Sequence, residues 1–232
     1  MTGKELKAFA EQVHEDAVIE ITENNYGAMS LCCIRGAIHE YQDRDTLKKY
    51  FSVSQVLTVL DPGAFKGIDP YVLAAAQDRG KDLHILFAVS LLSVVKVSSP
   101  PIRPNGIIGR YCDAIDKFIR ERRPIPIRIE ESSVNEKLGY AGTADTECQL
   151  DETPEHWIID LKTGPERAVH SAQLIGGYKR LKGYEKAKRF GSLYIRRDGT
   201  YTLVEHTHNH VDQAWFDAGL SVLNGRRLHN IR

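Results

Sequence analysis

The sequence predicts an α/β fold, a central mixed β-sheet flanked by helices, with core elements in the order α-β-β-β-α-β. Two changes of period and the chain length carry that prediction. Apolar residues recur at helical spacing up to about residue 122, alternate every second position from 124 to 162, and return to helical spacing from 166. Successive strands that give way to a helix and then to further strands make a mixed sheet with helices on its faces. The 232 residues, 42% hydrophobic and 27% charged, suit one well-buried domain, read as residues 51–232, behind an N-terminal extension of helix plus hairpin over residues 1–50.

Residues 4–16 read as a helix, and "AVIEI" and "SLCCI" on either side of "TENNYGAM" as a hairpin. Residues 69–95 read as a long helix, because Asp69 can accept from the orphan amides of a first turn and Pro70 needs no amide partner there. "SSPPIRPNG" is a loop by its Pro, Ser and Gly content, and residues 107–122 are a helix ending in the charged "RERR". "PIPIRIEESSV", "GYAGTADTECQL" and "HWIIDLKT" are separated by a Gly-containing turn and the polar break "DETPE", and read as an antiparallel meander. Residues 166–183 are helical, with Leu174, Tyr178 and Leu181 on one stripe. "FGSLYIRRDGTYTLVEH" is two strands about an Asp-Gly turn, and residues 211–223 form a closing amphipathic helix.

With 31 basic and 31 acidic residues, the chain lacks the net positive charge of many nucleic-acid binders, but its charges are unevenly spread. Residues 160–190 hold eight Lys or Arg against three Asp or Glu, whereas residues 1–30 hold two against six. The longest apolar run, Ile85 to Val95, spans 11 residues with two serines, too short for a bilayer, so no membrane partner is expected. The charged start "MTGKELKAFAEQ" lacks a secretory-signal pattern, which makes the cytoplasm the expected compartment. Cys32, Cys33, Cys112 and Cys148 show no C-x-x-C spacing and read as reduced, partly buried thiols.

The chemistry gathers around "HWIIDLKTG", residues 156–164. Alternation along a strand puts Asp160 and Lys162 on one face and Ile159 and Leu161 on the other. A partly solvated ion pair at a strand end would explain that much. Fifteen residues before Asp160, Asp145 lies on the preceding strand, where an antiparallel turn can bring the two carboxylates together. Close carboxylates raise each other's pKa unless a cation neutralises them. A hard divalent ion with oxygen ligands is the simplest such cation, with Lys162 as a second positive charge. Two unrelated surface aspartates are the alternative. "EHTHNH" sets His206, His208 and His210 on one face of an extended strand, but zinc sites usually draw ligands from separated segments, so none is expected there.

Gly142-x-x-Asp145, an apolar strand with Asp160-x-Lys162, and a helix bearing Gln173 together resemble the PD-(D/E)XK nuclease superfamily. Upstream, "LAAAQDRGKDLH" resembles the Arg-Gly-x-x-x-His helix of its RecB-like, CRISPR-associated exonuclease branch, with Arg79, Gly80 and His84 in register. "FSVSQVL" resembles that branch's lead-in, and the match spans about residues 51–224. The resemblance implies a restriction-endonuclease-like core with Asp145, Asp160, Lys162 and Gln173 as the catalytic set. It implies a Mg²⁺ or Mn²⁺ ion held by His84, Asp145, Asp160 and the backbone carbonyl of Leu161, His84 hinting at Mn²⁺ tolerance. A further acidic residue is filled by either Glu130 or Glu131. Arg79, Tyr178, Lys179, Arg180 and Lys182 are implied DNA contacts, Tyr178 by stacking on a base or bonding a phosphate.

The basic run continues through Lys186, Lys188 and Arg189, and reads equally well as a solvated helix face. Gly176 and Gly177 each cost about 1 kcal/mol relative to Ala inside a helix, so they imply close approach of either a nucleic-acid backbone or another helix. No cysteine follows Cys148, so the iron–sulfur cluster of some members of the branch is not expected. The implied function is a divalent-metal-dependent DNA nuclease, an exonuclease of recombination, repair or phage DNA metabolism. Its partners would be DNA with single strands or ends, and a second copy of itself or a recombination protein. A catalytically inactive nucleic-acid-binding protein on the same fold is the alternative, and intact Asp145, Asp160 and Lys162 favour the enzyme. A small-molecule hydrolase using the same ion would leave the basic run superfluous.

Overall fold

The computed structural model describes residues 31–34, 40–43, 45–96, 104–207 and 210–229, so the helix read over 4–16 and the "AVIEI" strand lie outside the described residues. The elements are β1 (Leu31–Ile34), β2 (Glu40–Asp43), β3 (Lys49–Ser52), α1 (Val53–Leu60), α2 (Pro70–Lys96), α3 (Ile107–Arg122), β4 (Ile125–Asn135), β5 (Tyr140–Gln149), β6 (His156–Lys162), α4 (residues 169–180), β7 (Ala187–Ile195), β8 (Tyr201–Glu205) and α5 (His210–Leu228). From α3 to β7 this is the predicted order. Asp69 caps α2 as expected, its carboxylate accepting from the amides of Tyr71 at 2.8 Å and Val72 at 3.2 Å. β2, β3 and α1 are additions to the sequence reading, and β2 and β3 are only four residues each, too short for a period to declare itself. The start of α1 did carry a signal. Ser52 and Gln55 cap each other, the Ser52 hydroxyl accepting from the Gln55 amide at 3.0 Å and Gln55 Oε1 from the Ser52 amide at 2.8 Å.

The strands form one eight-stranded mixed sheet in the order β1-β2-β3-β5-β6-β7-β8, with β4 on the other edge of β5. β4, β5 and β6 are the predicted antiparallel meander, α4 carries the chain into β7 parallel to β6, and β8 returns antiparallel. The β7–β8 turn bends at Gly199, where φ is +81°. β3 straddles residue 50 and joins β1 and β2 to the sheet.

β5 shares one edge between two partners. Its Tyr140 and Ala141 pair with parallel β3, while Thr146 to Gln149 pair with antiparallel β6. The sheet therefore forks along residues 142–145, where the pleat has no strand partner on that edge.

Helices cover both faces. α2 and α3 pack through Leu83, Phe87, Leu91, Ile115 and Phe118 against Ile129, Ile159, Leu161 and Leu193. α1, α4 and α5 pack through Val56, Leu174, Ile175, Phe216 and Leu220 against Tyr140, Ile158 and Phe190. Ile158 belongs to one core and Ile159 and Leu161 to the other, so alternation sends Asp160 and Lys162 toward α4. Close helix packing accounts for both α4 glycines. A Cβ on Gly176 would lie 2.4 Å from Phe216 Cβ, and one on Gly177 would lie 3.1 Å from both the Phe216 ring and Val53. Cys112 and Cys148 are buried free thiols. Among the described residues no helix is long and apolar enough to cross a membrane.

Candidate active site

The site is built where the sheet forks. β5 and β6 separate beyond the Thr146–Ile159 pair, and the next residues on each strand are Asp145 and Asp160. Past the fork, the Leu161 amide donates to Asp145 Oδ2 at 2.5 Å, a carboxylate standing where a ladder carbonyl would have been. Asp145 Oδ1 lies 3.1 Å from Nδ1 of His84, which α2 brings over the end of the sheet; the His84 side chain is 33% exposed and that of Asp145 7%. Glu130 adds a third group. Ligand atoms of His84, Glu130 and Asp145 all lie within 4.8 Å of one another. Glu130 has φ +50°, a left-handed backbone that L side chains rarely adopt, in the middle of β4. Such strain concentrates at functional sites. Glu131 points elsewhere, its Oε2 3.4 Å from Arg128 Nε, so the cluster takes Glu130 of the two.

Asp160 is 2% exposed. Its Oδ1 accepts from Gln173 Nε2 at 3.0 Å, and its Oδ2 makes an ion pair with the Lys162 ammonium. That Oδ2 is buried, and its close partner is the Lys162 ammonium. Lys162 Nζ donates to Gln173 Oε1 at 2.8 Å, so one amide holds both the acid and the ammonium. Gln173 Nε2 also donates to the Tyr178 hydroxyl at 2.9 Å. Residues 172–177 form a π-helical turn, whose i to i+5 spacing is what sets Gln173 beside Tyr178.

Burial opposes charge on His84, but Asp145, then Glu130 and Asp160, outweigh it and push its pKa up to about 9. Burial raises the Asp160 pKa, Lys162 opposes the rise and Asp145 reinforces it, and the result is upward. Both shifts describe a place short of positive charge. The donors suit a divalent cation. Two carboxylates and an imidazole converge, and Asp160 adds negative charge near them.

The structure thus gathers His84, Asp145, Asp160, Lys162 and Gln173. Leu161 reaches the cluster through its amide, which donates to Asp145. Arg79 is half-buried on α2, its Nε without a hydrogen-bond partner among the described residues. Its neighbour Gly80 would bring a Cβ within 4.0 Å of Thr163 Oγ1, so α2 passes across the end of β6.

The remaining expected DNA contacts are mostly engaged inside the protein. Tyr178 is 5% exposed with its ring in the α4-side core, which closes it to stacking on a base. Arg180 donates to the Gly176 carbonyl at 2.6 Å and to Asp217 at 2.7 Å, tying α4 to α5. Lys179 Nζ sits 5.4 Å from the centre of the Phe190 ring. Lys182 is exposed, beside Val134 of β4. Lys186 and Lys188 are exposed where Ala187 pairs with His156, at the opposite end of β6 from Lys162. Arg189 is paired with Glu205 and lies over Trp157. The reason is topological. A parallel crossover returns the chain to the start of the neighbouring strand, so the basic residues that follow α4 are carried away from the carboxylates.

Residues on β7 that the sequence reading passed over lie next to the site instead. Ser192 pairs in register with Asp160, and its hydroxyl lies 2.9 Å from His206 Nε2. Tyr194 pairs with Lys162, and its hydroxyl lies 2.6 Å from His170 Nδ1. Burial first, then the charges of Lys162 and Arg167, pull the His170 pKa down to about 3, so its imidazole is neutral. His210 is exposed at the start of α5, and His208 lies outside the described residues. Strand register alone reveals these neighbours, and no pattern in the sequence encodes it.

No known family model and no curated protein matches the sequence. Among solved structures, the chain is similar to an alkaline exonuclease from Laribacter hongkongensis, with 11% identity, 78% of this chain and 89% of that chain covered, and a TM-score of 0.43. It is also similar to a protein solved as SSO0001, with 12% identity, 93% and 86% of the two chains covered, and a TM-score of 0.38.

Proposed function

We propose that this protein is a divalent-cation-dependent nuclease that hydrolyses phosphodiester bonds in DNA from strand ends, in recombination, repair or phage DNA metabolism. The observation that carries the reading is the meeting of Asp145, His84 and Glu130 at the fork with Asp160, Lys162 and Gln173 beside them. Residues 51–232 are read as the catalytic domain and residues 1–50 as an extension. His84, Glu130, Asp145 and the Oδ2 of Asp160 would hold Mg²⁺ or Mn²⁺, which when bound supplies Lewis acidity toward the phosphate and lowers the pKa of water. Lys162 places a positive charge where negative charge builds on the phosphoryl oxygens and can orient the attacking water. Gln173 is a positioning residue, its carbonyl holding the ammonium and its amide the Asp160 carboxylate. α2, crossing the end of β6 at Gly80, favours a threaded strand over an intact duplex.

The test is incubation with end-labelled linear and closed circular single-stranded DNA in Mg²⁺, Mn²⁺ or EDTA. Linear strands should be degraded with either metal, circles should persist, and EDTA should stop the reaction. Equal rates on the two substrates would remove the exonuclease reading, and tight binding without hydrolysis would identify an inactive DNA-binding protein.

A further inference from the structure

Of the cations predicted to grip the nucleic acid, Arg180 is paired with Asp217, Lys179 lies against Phe190 and Lys182 stands beside β4, so only Arg79 on α2 remains near the end of β6, which leaves open where the rest of the strand is held. The parallel pair Lys162–Tyr194 sets the ends of β6 and β7 side by side. Beyond it the chain continues as Thr163–Gly164 on one strand and Ile195–Arg196–Arg197 on the other. Between them lies a cleft of about 250 Å³, lined also by Tyr111 of α3. Ligands of open α/β sheets bind outside the carboxyl ends of parallel strands. Two features make this cleft suited to an anion. Arg196 donates to the Thr202 hydroxyl at 2.7 Å, and neither it nor Arg197 makes an ion pair among the described residues. The turn that carries them is held firmly: Arg196 N donates to Thr200 O at 2.8 Å, Gly199 N donates to Arg196 O at 3.1 Å, and Gly199 packs against Asp113 of α3. Two acids stand nearby: Asp198 is engaged with Thr200, and Glu166 lines the cleft, where its negative charge opposes an anion and the two arginines must outweigh it.

We propose that this cleft binds a backbone phosphate of the nucleic-acid strand, next to the phosphate being hydrolysed, with Arg196 and Arg197 as its cationic wall. The inference rests on the nuclease reading of the adjoining carboxylates. A guanidinium presents a planar fork of donors that matches phosphate oxygens. Arg196, held by its bond to the Thr202 hydroxyl, gives up less freedom on binding than an unrestrained side chain.

The experiment is fluorescence anisotropy of a labelled single-stranded oligonucleotide with Mn²⁺, on the full chain carrying Lys162→Ala to prevent hydrolysis, across a salt series. Arg196→Gln with Arg197→Gln should weaken binding about tenfold and flatten the slope of log affinity against log salt by about 0.7 for each phosphate that the variant no longer neutralises. Arg197→Glu alone, at an exposed turn position where folding is not at stake, should weaken it at least as much. Lys186→Gln with Lys188→Gln should stay within about twofold of the parent at moderate salt. In the hydrolytically competent chain the double arginine change should raise KM with kcat little altered. Unchanged affinity and slope in both arginine variants, or an equal loss in the lysine variant, overturns the cleft and leaves the nuclease reading standing. Failure of the parent to bind any oligonucleotide overturns both.

Discussion

Asp145 and Glu147 stand two residues apart on β5, both buried acids, and the chain treats them differently. Glu147 is 1% exposed and closed in by protein. It is ion-paired with Arg128 and lies 2.8 Å from His156 Nδ1. The same guanidinium donates to the Gly183 carbonyl, lies 3.4 Å from Glu131, and covers the Tyr184 ring at 5.0 Å. Asp145 receives one backbone amide and one partly exposed imidazole, while Glu130 and Asp160 add negative charge around it. A buried carboxylate by itself therefore marks nothing. A site is marked by charge that the chain leaves undercompensated at a place solvent can reach.

The sharpest way to separate the two clusters is to remove the cation from each. Lys162→Ala should lower turnover by about 10³-fold, which corresponds to ~4 kcal/mol of transition-state stabilisation, while oligonucleotide binding changes little. Steady-state hydrolysis alongside anisotropy measures both, and unimpaired turnover would end the assignment of Lys162. Arg128→Ala should do the reverse. It leaves Glu147 buried without its cation and should destabilise the fold by about 3–5 kcal/mol in chemical denaturation, while any protein that remains folded keeps its Mn²⁺ affinity.

A smaller effect separates the clusters by pH. In metal-free protein the folded pKa of His84 is raised from 6.5 to about 9, so the stability it contributes is fully present below about pH 6.5 and lost as pH rises through 9. With a third of the side chain open to water, solvent screening trims the size of the effect. Melting temperatures from pH 6 to 9.5 should fall in metal-free wild type and fall less in His84→Gln. Identical slopes would show that His84 is not coupled to the carboxylates.

The α-β-β-β-α-β order is legible in the chain alone, because period and length are local properties. Alternation in "HWIIDLKTG" is enough to place Asp160 and Lys162 on one face, and Asp69-Pro70 is enough to start α2. Asp145, Asp160, Lys162 and Gln173 are singled out together by a resemblance to a known motif, not by period or composition. Tertiary packing settles what spacing cannot express. The left-handed backbone at Glu130 selects it over Glu131. The packing of Gly176 and Gly177 against Phe216 assigns them to helix contact. The parallel return of β7 carries Lys186 and Lys188 away from the carboxylates and sets Ser192 and Tyr194 beside Asp160 and Lys162. Register and crossover direction arise from contacts between residues far apart in the chain, so they are fixed when the whole sheet closes its hydrogen bonds and buries both faces at once.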